Sequence, residues 1–213
     1  MSFTVASCEQ RSPEWFALRA GRVTSSCASD MLSEKKSAGE TAARRNLRVR
    51  LALERITGKP LEAEGFVSKA MQDGIDREAE ALAQYEAVTG TFVERTGFLV
   101  YDDLMAGASL DGHVGNIDGV VEAKCPTHAI HLGYLQTGKV PTDYLRQITH
   151  QVFVTGAKWA DFLSYQPDFP EALRVKLVRV RRDELDLAAY ELALRQFLRE
   201  VDADVATIAG LKA

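Results

Sequence analysis

The feature that most constrains this chain is the segment 109–124, SLDGHVGNIDGVVEAK, which places three carboxylates and a lysine around one turn. Its second half carries β-branched valines after a Gly, Asn and Asp turn, which predicts the second strand of a hairpin. Residues two apart on a strand share a face, so Glu122 and Lys124 lie on one side. We expect Asp111 to end the first strand and the turn 112–119 to bring its carboxylate beside Glu122.

Carboxylates that converge from two adjacent strands suit a hard divalent cation. Mg²⁺ prefers a few carboxylates together with waters and substrate phosphate oxygens, so the pattern favours phosphodiester hydrolysis. Asp118 is the alternative acid, but it lies only four residues before Glu122, which leaves too little chain for a hairpin between them. We therefore favour Asp111 over Asp118.

A further acid comes from a long helix predicted over 66–89. Its apolar stripe includes Ile75 and Leu82, and the helical repeat places Glu78 on the same face. An unpaired carboxylate facing a core is costly, so Glu78 needs an arginine, a hydrogen-bond network or a metal ion. The acidic hairpin that follows favours the metal ion.

Composition limits the class of protein. The 213 residues suit one domain over 1–213, with no apolar run long enough to span a membrane, so we expect a cytoplasmic protein without membrane contact. Three cysteines, far apart in sequence, argue against a disulfide framework. The net charge of −4 does not exclude DNA, because binding depends on local patches. Basic runs at 44–55 and 174–182 are equally typical of solvated surfaces and of DNA contacts.

The order of predicted elements is N-terminal helices, then an αβββαββα run that ends in a long helix from about 183. This order predicts an α/β fold with a mixed central β-sheet flanked by helices, N-terminal helices and a long C-terminal helix. We expect the apolar stripe of the last helix to serve packing, and the aromatic residues, Trp15 among them, to lie in the core.

Asp111, Glu122 and Lys124 have the spacing D-X10-E-X-K, and the arrangement resembles the PD-(D/E)XK nuclease superfamily. Four blocks in the chain are similar, in this order, to the phage lambda exonuclease or YqaJ-like alkaline exonuclease branch. They are WFALRAGRVTSS at 15–26, GIDRE at 74–78, EAKCP at 122–126 and YLRQITHQVFVTG at 144–156. Leu110 stands where a proline often precedes the motif aspartate. The resemblance implies a restriction-endonuclease-like core.

The resemblance also implies roles for individual residues. The metal ligands would be Glu78, Asp111, Glu122 and the backbone carbonyl of Ala123, with two Mg²⁺ ions and Mn²⁺ as a substitute. Lys124 would orient or activate water. Gln147 matches a glutamine near the metal site, which completes a catalytic set of Asp111, Glu122, Lys124 and Gln147.

A second group matches the family's pocket for a 5′-phosphate. It consists of Arg19, Ser26 and Ser109, and an arginine fork with hydroxyl groups suits a terminal phosphate. Met71 occupies the place of an apolar wedge that separates the strands of the duplex, although a core methionine is an equally good interpretation.

The implied activity is Mg²⁺-dependent 5′-to-3′ digestion of double-stranded DNA from a 5′-phosphorylated end, giving 3′ single-stranded tails for homologous recombination. The implied partners are DNA ends, two further copies in a homotrimeric ring and a phage-type single-strand-annealing protein, in a bacterial or phage-infected cell. The alternatives are a restriction- or repair-type endonuclease and a catalytically silent DNA-binding module. The spacing Cys125-X2-His128-X2-His131 is a weaker candidate for zinc.

Overall fold

The computed structural model describes residues 3–35, 39–61 and 69–211, with the backbone alone over 69–76. In this part the helices are α1 (Pro13–Arg19), α2 (Ala28–Met31), α3 (Ala42–Thr57), α4 (Lys69–Thr89), α5 (His128–Thr137), α6 (Thr142–Thr155) and α7 (Leu187–Gly210). The strands are β1 (Phe3–Ala6), β2 (Val23–Thr24), β3 (Phe98–Tyr101), β4 (Ala106–Ala108), β5 (Gly112–Val114), β6 (Gly119–Lys124), β7 (Trp159–Tyr165) and β8 (Val175–Arg181).

The described strands form two four-stranded sheets, ordered β1-β3-β4-β2 and β5-β6-β7-β8. Each sheet is mixed, because β2 runs parallel to β4 and β6 runs parallel to β7, whereas the other neighbours are antiparallel. A parallel pair needs a crossover connection, and α5 and α6 supply it between β6 and β7. The chain passes from the first sheet to the second through residues 109–111.

The predicted α/β fold with flanking helices and a long C-terminal helix is confirmed, but the single central sheet is divided in two. The boundary falls where the sequence predicted one strand leading to Asp111. Residues 112–114 instead pair with 119–121, so the turn is confined to 115–118. Asp111 therefore precedes β5 rather than ending the first strand. Glycine suggested a turn at 112, but Gly112 pairs with Val121, and the next residue, His113, is buried and exchanges two backbone hydrogen bonds with Glu94.

Helix α6 joins the two sheets. Phe153 packs on Tyr101 of β3 with ring centroids 5.2 Å apart, and Tyr144 stacks on Phe162 of β7 at 5.4 Å. Its central residues are buried in the core that both sheets share. The position of any polar residue on α6 is thus fixed relative to both sheets.

Most of the basic run on α3 faces α7 rather than a free surface. The two helices pack together through apolar residues, and acidic residues of α7 lie beside the arginines. Three ion pairs, each 2.6 Å long, are Arg44–Glu200, Arg48–Asp204 and Arg55–Asp202. In the second basic run, Arg179 forms two 2.8 Å hydrogen bonds with Asp161. Much of the local positive charge is therefore neutralised within the fold.

The three cysteines, Cys8, Cys27 and Cys125, are free thiols, as their spacing predicted. Across residues 3–35, 39–61 and 69–211, no helix combines the length and apolarity needed to cross a membrane.

A buried histidine links α6 to α7 and to the first sheet. His150 is fully buried; its Nε2 donates to the Gly107 carbonyl oxygen at 2.8 Å, and its Nδ1 accepts from the Tyr190 hydroxyl at 2.5 Å. A carbonyl can only accept, so the ring is the neutral Nε2–H form. Burial lowers the pKa of His150 from 6.5 to about 4.

This histidine should make the free energy of unfolding depend on pH. Between pH 6.5 and 4 the unfolded chain binds a proton that the folded chain excludes, so stability falls as the pH is lowered, by at most about 1.4 kcal/mol per unit. We expect denaturant unfolding at several pH values to give a shallower loss for His150→Gln than for the wild type. Equal slopes for the two proteins would contradict this assignment.

Candidate active site

The β5–β6 hairpin brings Asp111 and Glu122 opposite each other. The antiparallel register of β5 and β6 sets the residue before β5 across from Glu122. Asp111 Oδ2 accepts a 2.8 Å hydrogen bond from the Ala123 N–H and lies 3.9 Å from Lys124 Nζ. The expected proximity of the two carboxylates is therefore present in the fold. Ala123 lies between the two charged residues of β6, and the ligand role of its carbonyl stays a prediction.

Glu122 is fully buried in β6, where its carboxylate contacts the Lys124 ammonium and accepts a 2.5 Å hydrogen bond from Gln151 Nε2. Burial raises the pKa of Glu122, and the charge on Lys124 offsets part of that rise. Burial also acts against protonation of Lys124, but the charges of Glu122 and Asp111 outweigh it and raise the pKa of Lys124. Lys124 is therefore a cation as long as these carboxylates keep their charge.

Helix α6 covers this cluster with polar and aromatic side chains. The Tyr144 ring centroid lies 5.3 Å from Lys124 Nζ, and Gln151, two turns later, binds Glu122. Gln147 lies between them on the same helical face and is half-buried. The sequence singled out Gln147, and its role stays a prediction. The spacing of two glutamines one turn apart was the available signal for Gln151.

Helix α4 adds Glu78, whose side chain is 20% exposed and whose Oε1 lies 3.2 Å from an Arg95 guanidinium nitrogen. Burial raises the pKa of Glu78, and so does the negative charge of Asp111, whereas Arg95 acts in the opposite direction. The helical-face argument predicted that this acid would need a partner. The structure supplies an arginine, one of the three partners considered.

The predicted wedge residue, Met71, also belongs to α4. It falls outside the residues whose side chains are described, so the wedge stays a prediction.

The acidic cluster, which consists of Glu78, Asp111 and Glu122, has ligand atoms that suit a divalent cation. Asp111 raises the pKa of both Glu78 and Glu122, which means that the negative charge of Asp111 repels each of the other two carboxylates. Glu122 Oε1 is buried and contacts the Lys124 ammonium, so this oxygen already faces a positive charge where a metal ion would bind. The described His, Cys, Asp and Glu side chains form no ready-made group of three ligands. Lys124 contacts Asp111 and Glu122, and Arg95 contacts Glu78, so side chains would have to move for one ion to bind all three acids.

The three residues assigned to a phosphate pocket converge through Trp15. Arg19 stacks on the Trp15 ring at 4.1 Å and donates a 3.2 Å hydrogen bond to Ser26 Oγ. The Trp15 indole N–H donates to Ser109 Oγ at 2.8 Å. Trp15 is half-buried and lies in this pocket rather than in the core. Its ring stacks on Arg19, and its indole N–H donates to Ser109. Sequence reasoning missed this residue.

The pocket and the acidic cluster are joined by the short crossing 109–111, the connection between the two sheets. Ser109 and Asp111 are two residues apart, a distance of at most about 7 Å along the backbone. Leu110 between them is fully buried, and its carbonyl accepts a 2.9 Å hydrogen bond from Gln10 Nε2. The separation of the two groups is therefore fixed by the fold.

The alternative candidate residues, Asp118 and the possible zinc ligand His131, have other partners in the structure. Asp118 lies in the β5–β6 turn and pairs with Lys158 at 2.7 Å. In the possible zinc motif, both ring nitrogens of His131 are engaged, with Ser164 Oγ at 2.7 Å and the Leu173 carbonyl at 2.8 Å. His131 therefore has no lone pair left for a metal ion.

Comparison with known proteins places these features in a family. The sequence model of the YqaJ-like viral recombinase domain matches residues 14–158. The solved alkaline exonuclease LHK-Exo from Laribacter hongkongensis is 32% identical, with a TM-score of 0.84 over 94% of this chain and 98% of that chain. The structure of LHK-Exo in complex with dAMP gives 33% identity and a TM-score of 0.83 over 95% and 100%.

A phage-related exonuclease from Haemophilus somnus 129PT is 13% identical, with a TM-score of 0.66 over 90% of this chain and 96% of that chain, and shows the shared fold alone. Comparison with curated protein sequences gives no significant match. The matched region 14–158 contains the pocket, the hairpin and the glutamines of α6, and exceeds half of the chain. The chain therefore belongs to the YqaJ-like viral recombinase family, as the resemblance of its motifs predicted.

Proposed function

We propose that the protein is a Mg²⁺-dependent 5′-to-3′ exonuclease that digests one strand of duplex DNA from a 5′-phosphorylated end and leaves 3′ tails for homologous recombination. The observation that carries this proposal is the short crossing 109–111, which joins the Arg19 pocket to the acidic cluster. A terminal phosphate held in that pocket would be kept within reach of the acids. The likeness to LHK-Exo, named an alkaline exonuclease, supports nuclease activity.

The residues that would hold Mg²⁺ are Glu78, Asp111, Glu122 and the Ala123 carbonyl. The proposal includes two ions, and Mn²⁺ as a substitute for Mg²⁺. When bound, such ions supply Lewis acidity and a water of lowered pKa. Gln151 keeps the Glu122 carboxylate in one orientation by its hydrogen bond, and Gln147 lies beside it on the same face.

Lys124 has two properties that suit a group acting on the attacking water. Its ammonium lies between Glu122 and Asp111, so it can donate a hydrogen bond to a water that the acids also contact. Its proton is held by the charges of those carboxylates. Neutralising these charges lowers the pKa of the lysine, which would let it accept a proton from water.

Removal of Lys124 should slow digestion strongly. We expect Lys124→Ala and Glu122→Gln to digest 5′-phosphorylated linear duplex at least about 100-fold more slowly than the wild type in Mg²⁺. Asp118→Asn is the matched control, since this turn acid precedes the same strand and should leave the rate unchanged. Digestion at the wild-type rate by Lys124→Ala would refute the site assignment.

The same assay separates the alternative functions. An exonuclease leaves covalently closed circular DNA intact, whereas an endonuclease cuts it. A silent DNA-binding module would bind the linear duplex and cleave neither form.

Arg19 should determine the preference for a phosphorylated end. Hydrogen bonds to a charged group contribute about 1.5–3 kcal/mol, so we expect Arg19→Ala to reduce the rate ratio of 5′-phosphate to 5′-hydroxyl duplex by about 10-fold or more. Arg19→Lys keeps the charge but loses the planar guanidinium, so its rate ratio should lie between those of the wild type and Arg19→Ala. Arg45→Ala, at an exposed arginine of α3, should keep the wild-type ratio. A wild-type ratio in Arg19→Ala would remove the pocket from the proposal.

We also propose a homotrimeric ring that works with a single-strand-annealing protein. A ring would reconcile the net charge of −4 with DNA binding, because basic side chains could face a central channel while acids face solvent. Light scattering of the purified protein should give three times the monomer mass. A monomer at micromolar concentration would exclude the ring.

A further inference from the structure

We propose that Arg95 exchanges partners during the reaction: it holds Glu78 before the divalent cation binds, and contacts a phosphate of the DNA strand in the adjacent cleft once the cation has taken Glu78. This step rests on the proposed function, because it needs Glu78 as a cation ligand and DNA as the substrate.

The backbone of Arg95 is held close to the acidic hairpin. The preceding residue, Glu94, exchanges two hydrogen bonds with His113 of β5, at 2.8 and 2.9 Å. This isolated bridge fixes the chain beside the strand that follows Asp111. The Arg95 side chain is nevertheless 58% exposed, so the guanidinium has room to turn without moving the backbone.

The contact with Glu78 is suited to displacement. It is one ion pair of 3.2 Å between a half-buried carboxylate and a largely exposed guanidinium. Ion pairs with one exposed partner are weak, so a divalent cation that also draws on Asp111 and Glu122 can replace the arginine. The displaced guanidinium is then able to bind another anion.

The cleft beside Arg95 offers a place for that anion. It has a volume of about 470 Å³ and is lined by residues 8–11, Glu78, Ala79 and residues 95–97. Arg11 is one of these residues, so two arginines line the same space as Glu78. A planar guanidinium can bind two phosphate oxygens at once, which makes a DNA backbone the fitting occupant.

Cation binding without DNA tests the first half of the exchange. Titration with Mn²⁺, followed by the electron paramagnetic resonance signal of the free ion, should show about two- to five-fold tighter binding for Arg95→Gln than for the wild type. Arg11→Gln is the matched control, because it removes a charge from the same cleft that acts on Glu78 through space. Its effect should be clearly smaller. In a Glu78→Gln background, the Arg95→Gln substitution should no longer change Mn²⁺ affinity.

Binding of a 5′-phosphorylated duplex in Ca²⁺, measured by fluorescence anisotropy, tests the second half. Arg95→Gln should weaken it several-fold, whereas Arg195→Gln, which removes a similarly exposed arginine paired with Glu191 on α7, should not. Unchanged Mn²⁺ affinity, an effect equal to that of Arg11→Gln, or unchanged duplex affinity would each overturn the exchange. If the exchange is seen but the wild type does not digest linear duplex, the proposed function alone fails. A wild type that binds no Mn²⁺ would overturn both.

Discussion

The buried carboxylate of Glu122 is the constraint on which the rest of the site depends. A charged group with no solvent exposure is costly unless other groups pair with it, and here the pairing groups come from two elements. Lys124 lies two residues along the same strand, and Gln151 comes from α6. Both contacts offset the cost of burying the carboxylate. The packing of α6 between the sheets is therefore also the assembly of the site.

The division of the strands into two sheets has a functional consequence. Where one sheet ends and the next begins, the chain needs a short connection, and that connection carries Ser109 and Asp111 with buried Leu110 between them. One residue faces the Arg19 and Trp15 pocket, and the other faces the acids. The proposed phosphate contact and the proposed cation ligand are thereby held at a fixed separation by the backbone rather than by a flexible loop. Pre-set geometry of this kind would suit the proposed digestion from a strand end.

Charge pairing explains why the arginine-rich helix is not evidence for DNA binding. Arg44, Arg48 and Arg55 have the spacing of a basic helical face, but the acidic residues that neutralise them lie about 150 positions later in α7. No local pattern connects the two runs. The α7 stripe was correctly interpreted as packing, and the same helix also supplies the counterions. The guanidinium groups near the acidic cluster, on Arg19, Arg11 and Arg95, are each isolated in sequence and do not form a run.

The sequence by itself determined the α/β fold, the hairpin acids and the family, because strand alternation, turn residues and the D-X10-E-X-K spacing are local patterns. It also indicated that Glu78 needs a partner, since a charge on an apolar helical face conflicts with burial. Only the tertiary structure decided which partner it has, that Gln151 holds Glu122, and that Trp15 links Arg19 to Ser109. These contacts join residues 17 to 94 positions apart, and the division of the sheet before Asp111 is equally non-local. Such pairings depend on how α6 and the two sheets pack, and packing is a property of the whole chain that no short pattern contains.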